Sequence, residues 1–477
     1  MELVPTIGLE IHAELKTATK MFCRSKNDSS ETNPNVNVCP VCMGHPGTLP
    51  VINREAIRHV LRVGAAIAGT LAAYTEFDRK NYFYPDLPKG YQLSQYAYPL
   101  VSGGSLNDIA ITRIHLEEDT AGSLHDPKTG STLVDYNRAG VPLMELVTEP
   151  VIHSANDAGN FARDFQLVIR YLGASDANME KGEMRVEANV SVAPVGERGT
   201  KVEIKNLNSF RSVERAIEYE VKRQTEVLAS GGKVVQETRG WDEAAQKTFS
   251  QRVKEGSADY RYFPEPDLPK LVRSAIKGLS DDEIRSSLPE LPAARFARYA
   301  SLGIVPDDAG LYVREPWIGA FFDAVIATGH FKEASAVQVA SNYIATDLMK
   351  LCRDSGKTET QFEHDSSISP ESFAQLIAMI LDKKISSRAA KDILAIMFAQ
   401  GGAPAEIAGR EGLEQKSDED ALLPVVQQII TENPTVVAAF KGGKQEALQF
   451  LMGQGMKLTK GAADPNVLRE LLVRQLQ

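Results

Sequence analysis

The chain has 477 residues, of which 43% are hydrophobic and 24% charged, a composition that fits a globular protein long enough for several domains. Its formal charge of −10 excludes a protein that coats nucleic acid by bulk electrostatics, because such binding neutralises phosphates with Lys and Arg. The N-terminus shows no signal-peptide pattern, no stretch approaches the ~18 uninterrupted apolar residues of a membrane span, and the few cysteines make no disulfide framework. These features predict a cytoplasmic protein in a reducing compartment, without a membrane partner.

Taken in chain order, the first element is a strand: Ile7, Leu9, Ile11, Ala13 and Leu15 alternate with Gly8, Glu10, His12 and Glu14, so one face is buried. A helix is expected over 53–68. Residues 109–116 read as a second strand, closed by Glu117-Glu118-Asp119, and a second helix covers 155–172. Met184–Val192 returns to period two with Arg185, Glu187, Asn189 and Ser191 on the polar side, and Lys201–Lys205 repeats it. A third helix, 213–228, stops at Ser230-Gly231-Gly232.

The expected class is α+β: a largely antiparallel sheet cradle with flanking helices, open on its charged face, followed by an all-α region. After Tyr262–Pro269 the pattern turns helical, with breaks at Ser369-Pro370, Gly401-Gly402, Asn433-Pro434 and Gly442-Gly443. Three parts are expected: a catalytic cradle over 1–290, a helical connector over 291–329 and a helical tail over 330–477. The tail ends on a basic cluster, Lys441, Lys444, Lys457, Lys460, Arg469 and Arg474, against Glu446, Asp464 and Glu470. Such a cluster is either a solvated surface or a local RNA contact.

Glu10 and His12 lie two apart on one strand and project from the same face. Carboxylate oxygens with one imidazole suit Mg²⁺ or Mn²⁺, although the same pair also occurs as plain polar surface. If alternation continues to the end of the 109–116 strand, Glu117 shares a face with Arg113 and His115, while Glu118 follows Ile114 and Leu116 toward the core. Arg79–Asp86 combines Arg79, Lys80, Tyr82 and Tyr84, a mixture that either holds phosphates and stacks a base or packs as a loop. Gly356-Lys357-Thr358 lacks the earlier glycine of a phosphate-binding loop, so any nucleotide site is of another kind. Cys23, Cys39 and Cys42 supply three thiols, one fewer than a closed zinc site requires, and buried reduced thiols are the alternative.

Several blocks, in order, resemble the GatB family, the B-type subunit of the glutamine-dependent aspartyl/glutamyl-tRNA amidotransferase. They are Ile7–His12, Cys39–Gly47, Asp78–Asp86, Ile114–Asp119, Asp135–Glu145, Lys205–Phe210 and Tyr260–Pro266, and the likeness spans nearly the whole chain. The resemblance implies ATP-dependent phosphorylation of the side-chain carboxylate of Asp on tRNA(Asn) or Glu on tRNA(Gln), followed by displacement of phosphate by ammonia. It further implies a Mg²⁺ site of Glu10, His12 and Glu118, and a phosphate or substrate contact at Lys80. Choosing Glu118 over Glu117 goes against the alternation and supposes a bulge or twist at the strand end. The family pattern for zinc begins Cys-x-Cys, where this sequence has Cys23-Arg24-Ser25, and many members carry Asp where Glu187 stands.

The chain lacks a Gly/Ser-rich amidase signature, so the resemblance also implies a heterotrimer with an A-type glutaminase subunit and a small C-type subunit, ammonia passing between them. The tail resembles the YqeY-like helical domain, which implies tRNA recognition by shape and backbone. Competing readings are a non-catalytic tRNA-binding adaptor and a stand-alone metal-dependent hydrolase. The Asp135–Glu145 block carries no role here beyond shaping the cradle.

Overall fold

The computed structural model describes residues 2–253, 257–331, 333–356, 362, 367–415, 419–459 and 461–476. Two compact units divide the chain, Met1–Pro292 and Ala293–Gln477.

In the first unit the alternating segment forms a strand from Leu3 to Glu14. It is the middle of a sheet that has ten strands among the described residues. From one edge the order is Lys247–Val253, Glu237–Asp242, Val202–Leu207, Met184–Pro194, Leu3–Glu14, Pro142–Thr148 and Ile109–Glu118, then the short strands Val101–Ser102 and Thr70–Leu71. Ser105–Leu106 pairs with Ile109–Glu118 off this path. Neighbours are antiparallel except Val202–Leu207 beside Glu237–Asp242.

Side chains that alternate toward one face meet three helices. Asn53 caps Arg54–Ala66 by accepting from the backbone N–H groups of Glu55 and Ala56, and Ser154 caps Ala155–Tyr171 through Asp157 N–H. The third helix, Phe210–Ala229, begins a turn before the periodicity at Val213 suggests, because Ser209 accepts from Ser212 N–H and starts it there. Ile57, Val60, Phe161, Phe165, Val213 and Ile217 join Ile7, Leu9, Ile11 and Val186 in one buried core. Each such side chain stabilises the fold by roughly 1.5–3 kcal/mol. That burial fixes which face of the sheet looks outward, since a one-residue slip would turn Glu10 and His12 into the core.

The second unit is helical among its described residues, so the fold as a whole is α+β followed by a helical region. Residues 291–329, expected as a connector, contain the helices Pro292–Ser301, Pro306–Arg314 and Pro316–Ala327, and from Ala293 onward belong to the second unit. Tyr299, Tyr312 and Phe322 stack or meet edge to face among these helices, and Arg298 is paired with Asp323 at 2.9 Å. Further along, Leu422, Val426, Ile429, Leu451, Leu468 and Leu472 form a separate apolar cluster. Of the basic tail, Lys441, Lys444, Lys457 and Arg469 are exposed, Arg474 pairs with Glu419 at 2.6 Å, and Lys460 lies outside the described residues, as do Lys357 and Thr358. No helix among the described residues is long and apolar enough to cross a membrane.

Candidate active site

On the face turned away from the helices, strand register builds a charged row. His12 lies opposite Arg185 on one side and Glu145 on the other, and Glu145 lies opposite His115. One step along, Glu10 faces Glu187. Alternation projects these side chains into a cavity of about 570 Å³ whose lining also includes Lys80, Tyr82, Glu117, Glu203, Lys205, Tyr260 and Tyr262.

Within the cavity the acids form two groups. His12, Glu117 and Glu145 bring ligand atoms within 4.8 Å of one another, with His12 Nε2 3.3 Å from Glu145 Oε2 and 3.6 Å from Glu117 Oε1. Two carboxylates and an imidazole nitrogen at that spacing fit a divalent cation that keeps open positions for other oxygens. Burial opposes protonation of His12, but Glu145, Glu117 and Glu187 outweigh it and push the imidazole up to about 9. Burial likewise opposes charge on Glu145, yet His115 and His12 hold its carboxyl well below the usual range. The second group is Glu10, Glu187 and Glu203, also within 4.8 Å. It is already neutralised in part: Lys205 Nζ lies 2.8 Å from Glu187 and 3.8 Å from Glu203, and Asn189 Nδ2 donates to Glu10 at 2.8 Å. Glu10 and His12 therefore share a face, as their spacing requires, but belong to different clusters.

Glu118 is not brought to either of them. The 109–118 strand keeps its register through Leu143 opposite Glu117 and Pro142 opposite Glu118, and its one irregularity lies at the far end, beside Val147 and Thr148. With no bulge to turn it, Glu118 follows Ile114 and Leu116 to the other face, where it pairs with Lys89 and accepts from Leu93 N–H at 3.0 Å. Glu117 takes the position beside His12 that Glu118 was expected to occupy. Lys80 does line the cavity, with its Nζ 5.0 Å from the Tyr260 ring centre and 5.8 Å from that of Tyr82. Burial works against its charge, but Glu117, Tyr262 and Tyr82 push its ammonium above the ordinary lysine range.

Arg185 is anchored at the rim by Asp119, which receives Nη2 at 3.0 Å on each oxygen and also accepts from Arg138 at 2.6 Å. Arg138 in turn reaches Glu14 at 2.7 Å, tying the 109–118 strand end to the central strand. Buried Asp119 would resist ionisation, but Arg185 and Arg138 hold its carboxyl below the usual range.

Cys23, Cys39 and Cys42 gather with their sulfurs within 4.8 Å of one another. A closed structural zinc site needs a fourth ligand. Here Ser25 Oγ stands 3.8 Å from Cys42 Sγ, and the fully buried Lys20 places its ammonium 3.9 Å from the same sulfur. Three thiols beside a buried cation do not fit a closed four-ligand site.

The sequence alone does not single out Glu145, His115, Glu203 or Arg185 as site residues. Glu145 sits in the run Pro142-Leu-Met-Glu-Leu-Val147, whose continuous apolarity hides strand parity, and only pairing with the central strand reveals which way it points. The alternation from His115 to Glu117 is legible, and the structure follows it.

Residues 5–276 match the family model described as GatB/GatE catalytic domain, and residues 321–476 match the one described as GatB domain. Curated relatives, each named as the B-type subunit of an aspartyl/glutamyl-tRNA(Asn/Gln) amidotransferase, cover almost the whole chain. The protein of Trichodesmium erythraeum is 42% identical over 492 residues, covering 99% of this chain and 97% of its own. That of Caldicellulosiruptor saccharolyticus is 43% identical over 488 residues and covers both chains fully, at 100% each. That of Synechocystis is 42% identical over 492 residues, with 98% and 97% covered. Matches to the cradle and the tail models, together with full-length identity at this level, place the chain in the GatB family of aspartyl/glutamyl-tRNA(Asn/Gln) amidotransferase subunits.

Proposed function

We propose that this chain activates and amidates the side-chain carboxylate of Asp on tRNA(Asn), of Glu on tRNA(Gln), or of both, in a cytoplasmic complex with an A-type glutaminase subunit and a small C-type subunit. The observation that carries the reading is the open cavity in which His12, Glu117 and Glu145 stand near the cations Lys80, Arg185 and Lys205.

The chemistry sets the requirement. A carboxylate resists nucleophiles because attack would expel an oxide-like group. Transfer of the ATP γ-phosphoryl group to a carboxylate oxygen gives an acyl phosphate and ADP. Ammonia then attacks the carbonyl carbon, phosphate departs with the C–O bonding electrons, and the nitrogen sheds a proton to become the amide. Phosphoryl transfer depends mainly on positioning and charge neutralisation. Mg²⁺ held by His12, Glu117 and Glu145, in place of the set that included Glu118, would neutralise phosphate oxygens there. Lys80, kept cationic by Glu117 and its tyrosine neighbours, contacts phosphate or the substrate carboxylate. Arg185, fixed by Asp119, supplies a second oriented donor. Glu10 holds Asn189 and, with Glu187, the position of Lys205.

The tail, through Lys441, Lys444, Lys457 and Arg469, binds tRNA by its backbone. ATP hydrolysis by the assembled complex, measured with and without mischarged tRNA, tests the reading. Loss of tRNA-dependent hydrolysis in His12→Ala with tRNA binding retained supports it. Unchanged turnover in both His12→Ala and Glu10→Ala would overturn the assignment of a metal to this face of the sheet.

A further inference from the structure

We infer that His115 is a positioning residue that locks Glu145 for cation binding. The inference rests on the reading of His12, Glu117 and Glu145 as the cation site.

Glu145 lies between two histidines in the cross-strand row, opposite His12 on one side and His115 on the other. Both imidazoles address the same oxygen: Glu145 Oε2 is 3.3 Å from His12 Nε2 and 3.2 Å from His115 Nε2. The two rings are not equivalent. His12 Nε2 also faces Glu117, 3.6 Å away, whereas His115 Nε2 has Glu145 as its ion-pair partner. A lone pair given to a cation cannot also carry a hydrogen, so once His12 turns Nε2 to a cation, His115 is the histidine left to donate to Glu145.

The surroundings of His115 suit that single task. Its side chain is 4% exposed, and its Nδ1 is buried with no hydrogen-bond partner among the described residues. A buried N–H without an acceptor costs more than a bare ring nitrogen, so the proton belongs on Nε2, where it meets Glu145. The Nε2–H thus pins Oε2 and fixes the orientation of the carboxylate beside His12 and Glu117. Carboxylate ligands tied in this way by a neighbouring donor hold metals more tightly, and loss of such a partner typically costs about 10–100-fold in affinity.

The test uses the full chain and Mn²⁺ as the probe, with free ion followed by its EPR signal. His115→Phe fills the volume without a donor and is expected to weaken Mn²⁺ binding by about 10–100-fold. His115→Gln, whose amide can donate to Glu145, is expected to recover most of that loss. His115→Leu replaces the Phe variant if the larger ring does not fold. In the assembled complex, the Mg²⁺ concentration for half-maximal activity rises by the same factor, while kcat at saturating Mg²⁺ stays near that of the parent. Parent-like Mn²⁺ affinity in a folded His115→Phe chain, or equal weakening by Phe and Gln, overturns the inference. His12→Ala and Glu117→Gln are the controls. If they abolish binding while His115→Phe does not, only the role of His115 fails; if they leave binding intact, the cation site itself fails and the inference with it.

Discussion

Any cation that takes Nε2 of His12 must displace the proton that the site holds there, which makes its binding steeply dependent on pH. Burial disfavours the imidazolium, but Glu145, Glu117 and Glu187 outweigh it and raise His12 from 6.5 to about 9. Below that value each unit of acidification costs about tenfold in apparent affinity, or about 1.4 kcal/mol, and above it the dependence levels off. Between neutrality and pH 9 the full chain should therefore gain about fiftyfold in Mn²⁺ affinity. EPR titrations of free Mn²⁺ at half-unit steps measure this directly. The cation-free chain has the opposite trend. A folded-state value raised above the unfolded one contributes stability that is complete below about 6.5 and lost as pH rises through about 9. That contribution is about 3 kcal/mol at most. Denaturant unfolding in chelator should show the loss, and a saturating cation should abolish it. A Mn²⁺ affinity flat across this range, or one levelling off near 6.5, refutes the electrostatic account of His12.

Three further outcomes follow from the geometry. Glu117→Gln should weaken Mn²⁺ binding at least about tenfold, whereas Glu118→Gln should leave it near the parent value and lower stability by about 1–3 kcal/mol by removing the charge that Lys89 meets; the reverse pattern would restore Glu118 as the ligand. Asp119→Asn removes the anion between Arg138 and Arg185, and thermal unfolding should report a loss of about 1–3 kcal/mol. Raised activity in that variant would show that the clamp restrains Arg185 instead of orienting it. Removing residues 330–477 should weaken tRNA affinity, read by filter binding, more than ATP affinity, read by equilibrium dialysis, and equal losses would contradict the assignment of tRNA to the tail.

What could be read in the sequence was whatever alternation controls. The strict period of Ile7–Leu15 placed Glu10 and His12 on one outward face, and Ile114, Leu116 and Glu118 kept a single parity to the end of their strand. The expectation that Glu118 would swing to the site failed because that strand end carries no bulge, so local physics outranked resemblance at this position. Partnership across strands was not legible. Glu10 joins Glu187 and Glu203, while His12 joins Glu145, and those groupings come from a register between segments more than a hundred residues apart, which no local pattern encodes. Lys20 was equally hidden: nothing beside it in the chain announces a fully buried ammonium next to Cys42.

On the proposed route this subunit converts the substrate carboxylate to an acyl phosphate before ammonia attacks. Mischarged tRNA bearing ¹⁸O in both side-chain carboxylate oxygens, turned over by the assembled complex with ATP and glutamine, tests it most directly. The mechanism predicts one ¹⁸O in each inorganic phosphate released and one retained in the amide, with transfer lost in His12→Ala. Amide formed without label in the phosphate would contradict it.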